Sequence, residues 1–276
     1  MKILLCNDDG YSAEGIQSLY KILSGKHEVK ICAPLTNKSG FSASINIFKE
    51  LDFRKISEDI YALDGSPVDC VMTALKGEWL QWRDGSYIPD LLLSGINHGG
   101  NVGTDITYSG TAAAARQGAI YGIPSMALSL EKRNWDDPAP YCFDDFSNFI
   151  LNNLEKLLDI LPGKEESNKS VKHINFAKPV NYFLNINALS IKKYKGIKMA
   201  SICNRIYGDK IYIEKRDDGS LYSVCRPESP VQTYGDGQSD YELIRDEYVA
   251  ISILKAPPAI LEDSNIKLDR KGGFIL

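Results

Sequence analysis

Residues 1–23, MKILLCNDDGYSAEGIQSLYKIL, combine an apolar run, a polar turn and an amphipathic segment. Lys2 to Cys6 predict a buried strand, and the apolar residues after the turn recur at the spacing of one helix face. Asp8 and Asp9 fall where this strand ends. The stretch therefore predicts a strand–loop–helix unit that places two like charges at the end of a buried strand.

The same alternation of apolar runs and helical patterns continues along the chain. The predicted strands after the first are 28–33, 89–95, 125–130 and 182–189, and the predicted helices are 13–23, 67–80, 111–122 and 143–161. A hairpin is expected within 45–63, and Ser66 is expected to cap the helix after it. Because the strands are continuous apolar runs, they indicate a mostly parallel sheet covered on both faces, which is a doubly wound α/β domain.

The pattern changes near Lys192 to short alternating segments, with a turn signal at Asp217-Asp218-Gly219. This change predicts a C-terminal β-rich arm that is a candidate for subunit contacts. The expected organisation is a main domain at 1–190, a β-hairpin arm used in oligomerisation at 191–235, and a final segment at 236–276 that packs on the core or on a neighbouring subunit.

Composition narrows the class of protein. The 276 residues are 43% hydrophobic and 25% charged, as in an ordinary globular protein, and the net charge of -4 disfavours a polymeric nucleic-acid partner. A signal sequence and a membrane-spanning run are both missing from the pattern, so no membrane partner is expected. The six cysteines are scattered without a C-x-x-C pair, which indicates reduced thiols and a cytoplasmic location.

Ligands of open parallel sheets bind beyond the carboxyl ends of the strands. The residues that follow three predicted strands all carry oxygen or nitrogen donors. They are Asn7, Asp8, Asp9, Asn37, Ser39, Ser42, Ser94, Asn97, His98 and Asn101. These side chains are the candidates for a functional site.

The paired carboxylates Asp8 and Asp9 repel each other unless a cation lies between them, and a divalent metal is the usual solution. Neighbouring serine hydroxyls and asparagine amides are hard oxygen ligands, which favour Mg²⁺ or Mn²⁺ over zinc. A hard metal in turn indicates a phosphate substrate. An Asp-Asp-Gly sequence after a strand is also an ordinary turn, and that interpretation stays open.

The segment Tyr108-Ser109-Gly110-Thr111 opens the alanine-rich helix, where backbone N–H groups and hydroxyls favour an anion. Ser109 is equally an ordinary N-cap. The nearby glycines match neither dinucleotide-binding nor phosphate-loop motifs, and no G-x-S-x-G motif accompanies His98. Anion binding is therefore the specific expectation for this segment.

Taken together, these motifs resemble the SurE family of metal-dependent nucleotidases, also called survival proteins. The resemblance covers about residues 1–130 and is carried by NDDG, the SG of TNKSGFSAS, LDGSPVDCV, PDLLLSGINHGGNVGTDITYSGTAAAARQGA and GIPSMALS. It implies a Rossmann-like catalytic domain that hydrolyses nucleoside 5′- and 3′-monophosphates, with an extended arm used to form a homodimer or homotetramer.

The resemblance also implies roles for single residues. The positions that match the family's metal ligands are Asp8, Asp9, Ser39 and Asn97, which would hold one divalent ion per subunit, and the expected catalytic residues are Asp8, Asp9 and Asn97. The positions that match the family's phosphate contacts are Asn101, Ser109, Gly110 and Thr111. Departures from the family pattern, such as Ser66, Gln117, Ala43 and Asn46, leave the ligand set unchanged.

One main hypothesis and three alternatives to it accompany this expectation. The main hypothesis is in-line attack of water on phosphorus while a metal offsets charge. Direct attack by an aspartate would give a covalent phospho-enzyme, but NDDG lacks the D-x-D spacing of enzymes that do this. A non-catalytic nucleotide-binding or signalling module, and a transferase on a similar fold, are the other candidates.

Overall fold

The computed structural model describes residues 1–134, 136–163, 174, 179–258, 267–268 and 274–275. The strands are β1 Lys2–Cys6, β2 Glu28–Pro34, β3 Phe53–Lys55, β4 Ile60–Leu63, β5 Leu91–His98, β6 Ser125–Glu131, β7 Tyr182–Leu189, β8 Ile197–Met199, β9 Asn204–Lys215, β10 Leu221–Tyr234, β11 Val249–Lys255, β12 Lys267–Leu268 and β13 Phe274–Ile275. The helices are α1 Glu14–Leu23, α2 Pro67–Lys76, α3 Gly110–Ile120, α4 Phe143–Asp159 and α5 Asp240–Arg245, with a 3₁₀ helix at Gly103–Tyr108.

One large sheet has the strand order β3-β4-β2-β1-β5-β6-β7-β11-β8. The six strands from β4 to β7 are parallel, whereas β3 and β11 run antiparallel to their neighbours β4 and β7. The chain winds outward from β1 to β2 on one side and from β5 to β6 on the other. The direction of winding therefore reverses between β1 and β5, which is where the ligand crevice of such a sheet lies.

Helices cover both faces of this sheet. On one face, apolar residues of α1 and α4 pack against β1, β2, β5 and β6, and Phe146 is their largest fully buried side chain. On the other face, α2 and the alanines of α3 pack against β1 and β5 in a second cluster that includes Trp82. The predicted doubly wound, mostly parallel α/β fold is confirmed.

Helix α2 ends at Lys76, so its predicted extension to about Leu80 is wrong. Ser66 caps the helix in a reciprocal box with Asp69, as expected. At the other end, the carbonyl of Thr73 accepts hydrogen bonds from Gly77 N and from Trp79 Nε1. The indole therefore takes the place of a further helical turn. The predicted hairpin is confined to β3 and β4.

The C-terminal third contains a separate two-stranded sheet, in which β9 and β10 pair antiparallel around a turn at Gly219. Strand β8 lies in the large sheet beside β11. Parts of the predicted 236–276 segment lie outside the described residues, and the division into three regions stays a prediction. Within the described ranges, no helix is long and apolar enough to cross a membrane.

Candidate active site

A cavity of about 750 Å³ opens at the carboxyl ends of β1 and β5, at the reversal of the sheet order. Its lining brings together six of the candidate residues named from the sequence. They are Asp8, Ser39, Asn97, His98, Asn101 and Ser109. The topology of the sheet therefore gathers side chains from three loops around one space, as expected for the end of a parallel sheet.

Asp8 lies on the wall of this cavity and is only 3% exposed. One carboxylate oxygen accepts a hydrogen bond from Thr111 Oγ1, and the other accepts one from Gly110 N at 3.1 Å. A Cβ atom at Gly110 would lie 2.8 Å from the Asp8 Cβ, so only glycine permits this approach. Burial raises the pKa of the Asp8 carboxyl, the hydrogen bond from Thr111 lowers it, and the charge of Asp9 raises it.

Asp9 faces a different set of partners and does not line the cavity. Its Oδ2 accepts a hydrogen bond from His98 N at 3.1 Å and lies 3.2 Å from His98 Nδ1, while Asn37 Nδ2 donates to its Oδ1 at 3.3 Å. The His98 ring packs edge-on against Tyr141 and Phe143. The hydrogen bond to Asp9 raises the pKa of His98. The structure therefore assigns His98 a place beside Asp9.

Asn97 and Ser39 complete the predicted metal ligands. Strand β5 has an irregular register between Ser94 and Asn97, and such bulges re-aim side chains near sites. Asn97 Nδ2 donates to Gly99 O at 2.9 Å, which leaves the amide oxygen as its remaining polar atom. Ser39 is held through its backbone N, which donates to Asn37 Oδ1 at 2.9 Å, so its hydroxyl remains available.

The chemistry of this donor set fits a hard divalent cation. A carboxylate, a hydroxyl and an amide oxygen line one cavity, and a second carboxylate lies next to the first in the chain. A cation there would also offset the cost of burying the Asp8 charge. Among the described residues no group of three or more His, Cys, Asp or Glu side chains could hold a metal, so the fit depends on this mixed oxygen set.

The residues of the predicted phosphate-binding turn already have hydrogen-bond partners within the protein, and their role toward a phosphate stays a prediction. Gly110 N and the Thr111 hydroxyl are engaged by Asp8, and Thr111 is fully buried. Ser109 Oγ accepts a hydrogen bond from Ala112 N at 2.9 Å and is the N-cap of α3. The N-terminus of α3 therefore faces the carboxylate of Asp8. Of the three residues Ser109, Gly110 and Thr111, Ser109 lines the cavity.

Asn101 is anchored by polar groups that sequence reasoning did not assign to the site. Its backbone N donates to Asn187 Oδ1 at 2.8 Å, and its carbonyl accepts from Asn185 Nδ2 and Asn187 Nδ2. Its side-chain amide donates to Ser129 Oγ at 2.8 Å. Asn185 and Asn187 are two positions apart on a buried strand, hence on one face. Two asparagines at this spacing within an apolar segment are the sequence signal that could have identified them.

The arm contributes to the lining of the cavity through the first residues of β9. Arg205 forms an ion pair with Asp105 of the 3₁₀ helix, and Tyr207 OH donates to Asp105 Oδ2 at 2.7 Å. The hydroxyl of Thr104 donates to the carbonyl of Arg205 at 2.8 Å. Among the described residues that line the cavity, Arg205 is the single Lys or Arg. About one hundred residues separate these partners, so no local pattern could predict them.

A buried carboxylate holds this wall in place. Asp240, at the start of α5, is 1% exposed and accepts hydrogen bonds from Gly103 N at 2.7 Å and Cys203 N at 3.2 Å. Gly103 begins the 3₁₀ helix, and Cys203 directly precedes β9. Asp240 therefore links the loop beside the cavity to the base of the arm.

Comparison with known proteins agrees with this architecture. The family described as "Survival protein SurE" matches residues 3–209. The chain belongs to the SurE family. A curated SurE relative from Thermosipho melanesiensis, named 5′-nucleotidase SurE, is 35% identical over 91% of this chain and 90% of its own length. Another of that name, from Campylobacter lari, is 35% identical over 99% of both chains.

A solved SurE structure shares the fold. The crystal structure of the SurE protein from Aquifex aeolicus has a TM-score of 0.71 and 29% sequence identity, and the match covers 94% of this chain and 95% of that one. The resemblance predicted from the N-terminal motifs is therefore confirmed, and the similarity extends through the C-terminal third.

The contact between Thr111 and Asp8 yields a stability prediction. Thr111→Val preserves shape but removes the hydroxyl that donates to a buried carboxylate, so we expect a loss of about 1.5–3 kcal/mol in the free energy of unfolding. Urea unfolding in EDTA measures it without a bound cation. Thr111→Ser retains the hydroxyl and should lose less. A valine variant as stable as the native protein would show that this hydrogen bond does not stabilise the fold.

Proposed function

We propose that this protein is a metal-dependent 5′-nucleotidase that hydrolyses nucleoside monophosphates, at their 5′ and also 3′ esters, to nucleoside and phosphate. The observation that carries the proposal is the placement of Asp8, Ser39 and Asn97 in one cavity with Asn101 and Ser109. Relatives named 5′-nucleotidase SurE align along more than nine-tenths of the chain, which supports the same activity here.

Asp8, Asp9, Ser39 and Asn97 would hold one divalent cation per subunit, Mg²⁺ or Mn²⁺. When bound, such an ion supplies positive charge that stabilises the transition state of phosphoryl transfer and increases the acidity of water. Asp9 keeps acceptor capacity for this role because a carboxylate has about four lone-pair sites, of which neighbouring residues use only part.

The surrounding residues orient the ligands and the substrate. Gly110 and Thr111 fix both oxygens of Asp8, which restrains this carboxylate from attacking phosphorus and favours water as the nucleophile. The Ser109 hydroxyl, whose oxygen already accepts from Ala112 N, keeps its proton for a phosphate oxygen. Arg205 pairs with Asp105 in the cavity lining, which reduces the negative charge that a phosphate dianion meets when it enters the cavity.

The alternative of a non-catalytic nucleotide-binding or signalling module is not favoured by any observation. The curated relatives named above carry an enzyme's name, and the chain retains all four candidate ligands. We also place the reaction in the cytoplasm, since all six cysteines are unpaired, as is typical of proteins in reducing compartments.

We further propose that the arm joins subunits into a homodimer or homotetramer. Apolar side chains are exposed along the arm hairpin, where a monomer would leave them in water. Outside the cavity lining, they are Ile211, Ile213 and Leu221. A second copy of the chain is the proposed partner, because closed symmetric assemblies are the commonest oligomers.

The nucleotidase proposal predicts metal-dependent release of phosphate from nucleoside 5′-monophosphates. Mg²⁺ or Mn²⁺ should support release, EDTA should abolish it, and Asp8→Asn should reduce turnover on the order of a hundredfold or more. Asp136→Asn, an exposed aspartate away from the cavity, is the matched control and should retain full turnover. Native turnover in the Asp8 variant would contradict the assignment of this residue.

The assembly proposal predicts that charges on the arm dissociate the oligomer. The double variant Ile211→Glu/Ile213→Glu should lower the molar mass in light scattering to that of a single chain, because burying two unpaired carboxylates is costly. Lys215→Gln, at an exposed position of the same strand, should keep the native mass. An unchanged mass in the double variant would show that this face of the arm is not the interface.

A further inference from the structure

Beside its polar residues, the cavity has an apolar and aromatic lining that the hydrolysis of a phosphate ester does not itself require. Tyr108, Ile206 and Tyr207 supply this lining and are 67%, 56% and 45% exposed; the two tyrosines are termed the aromatic wall. Exposed aromatic residues that line the same cavity as polar catalytic groups are typical of a site where a flat organic group binds. This lining therefore indicates that the phosphate of the substrate is attached to a flat organic group.

Tyr207 is held in a defined orientation. Its hydroxyl donates to Asp105 Oδ2 at 2.7 Å, and the guanidinium of Arg205 lies 5.5 Å from its ring centroid. The residue nevertheless keeps nearly half of its surface in solvent. A ring fixed in this way loses little conformational entropy when a ligand covers its remaining surface.

Tyr108 is the last residue of the 3₁₀ helix, next to the N-cap Ser109. Its carbonyl accepts a hydrogen bond from Ser42 N at 3.3 Å, and the Ser42 hydroxyl donates to Thr107 O at 2.7 Å, so the backbone is held. Within the part of the chain that the structure describes, its side chain has no hydrogen-bond or ring partner. Its aromatic surface therefore contributes little to the fold.

The wall lies within reach of a substrate that is held by its phosphate. Tyr108 adjoins Ser109 in the chain, and at about 2 Å rise per residue the Asp105 that anchors Tyr207 lies about 8 Å from Ser109 along the 3₁₀ helix. A nucleotide extends over a comparable distance from its phosphate to its base.

We propose that Tyr108 and Tyr207 stack against the nucleobase of the substrate. This inference rests on the nucleotidase function proposed above and deepens it by naming how the nucleoside is selected. Because every base has an aromatic face, stacking recognises a base without reading its hydrogen-bonding edge. The enzyme therefore prefers nucleotides to base-free sugar phosphates, and it discriminates little between purines and pyrimidines of similar stacking strength.

The test compares adenosine 5′-monophosphate with ribose 5-phosphate, which has the same ester and sugar but no base. The native protein should show a kcat/KM ratio in favour of the nucleotide of between about fivefold and a hundredfold. Tyr108→Ala and Tyr207→Ala should lower this ratio, whereas Tyr108→Phe and Tyr207→Phe, which keep the rings, should preserve most of it. Tyr234→Ala, an exposed arm tyrosine outside the cavity lining, is the control and should leave the ratio unchanged.

Equal kcat/KM values for the two esters in the native protein would overturn the inference without any variant. Phosphate release from neither ester would instead overturn the nucleotidase proposal. In that case, calorimetry in EDTA measures the binding of each ester and tests the stacking by the aromatic wall without turnover. Tighter binding of the nucleotide than of ribose 5-phosphate by the native protein, lost in the alanine variants, would support stacking, and equal binding would overturn it.

Discussion

The buried carboxylate of Asp8 is the constraint on which the site depends. A negative charge at the end of a central strand, removed from water, must be balanced by hydrogen bonds and positive charge. Gly110 N and the Thr111 hydroxyl provide two of these interactions, and they bring the N-terminus of α3 against the end of β1. Because Gly110 has no Cβ, the helix approaches closely enough to carry Ser109 to the edge of the cavity. In the function proposed above, a cation would supply the remaining positive charge beside these two adjacent aspartates.

The site is assembled from parts of the chain that are far apart in sequence. The ends of β1 and β5 and the loop after β2 supply the candidate metal ligands, the start of α3 orients one of them, and the base of the arm forms a further wall. Asp240 joins that wall to the 3₁₀ helix through hydrogen bonds to Gly103 N and Cys203 N. The arm therefore lines the cavity as well as carrying the proposed subunit contact.

The fold and one half of the site could be predicted because their signals are local. Continuous apolar runs indicate parallel strands, and the polar residues that end them, such as Asp8 and Asn97, must meet at one edge of the sheet. The end of α2 could not be predicted, since an indole that bonds a helix carbonyl leaves no periodic pattern. The pairing of Arg205 with Asp105 joins residues one hundred positions apart. Tertiary packing brings these two residues together, so neither local propensity nor residue spacing predicts their pairing.

The central claim is that Asp8, Asp9, Ser39 and Asn97 form one divalent-cation site at the end of β1. Anomalous diffraction from crystals grown with Mn²⁺ locates the ion directly and independently of turnover. The account predicts a single strong peak per subunit at about 2.0–2.3 Å from oxygen atoms of these four residues. A peak bound by other residues, or no peak here in crystals that bind Mn²⁺ elsewhere, would contradict it.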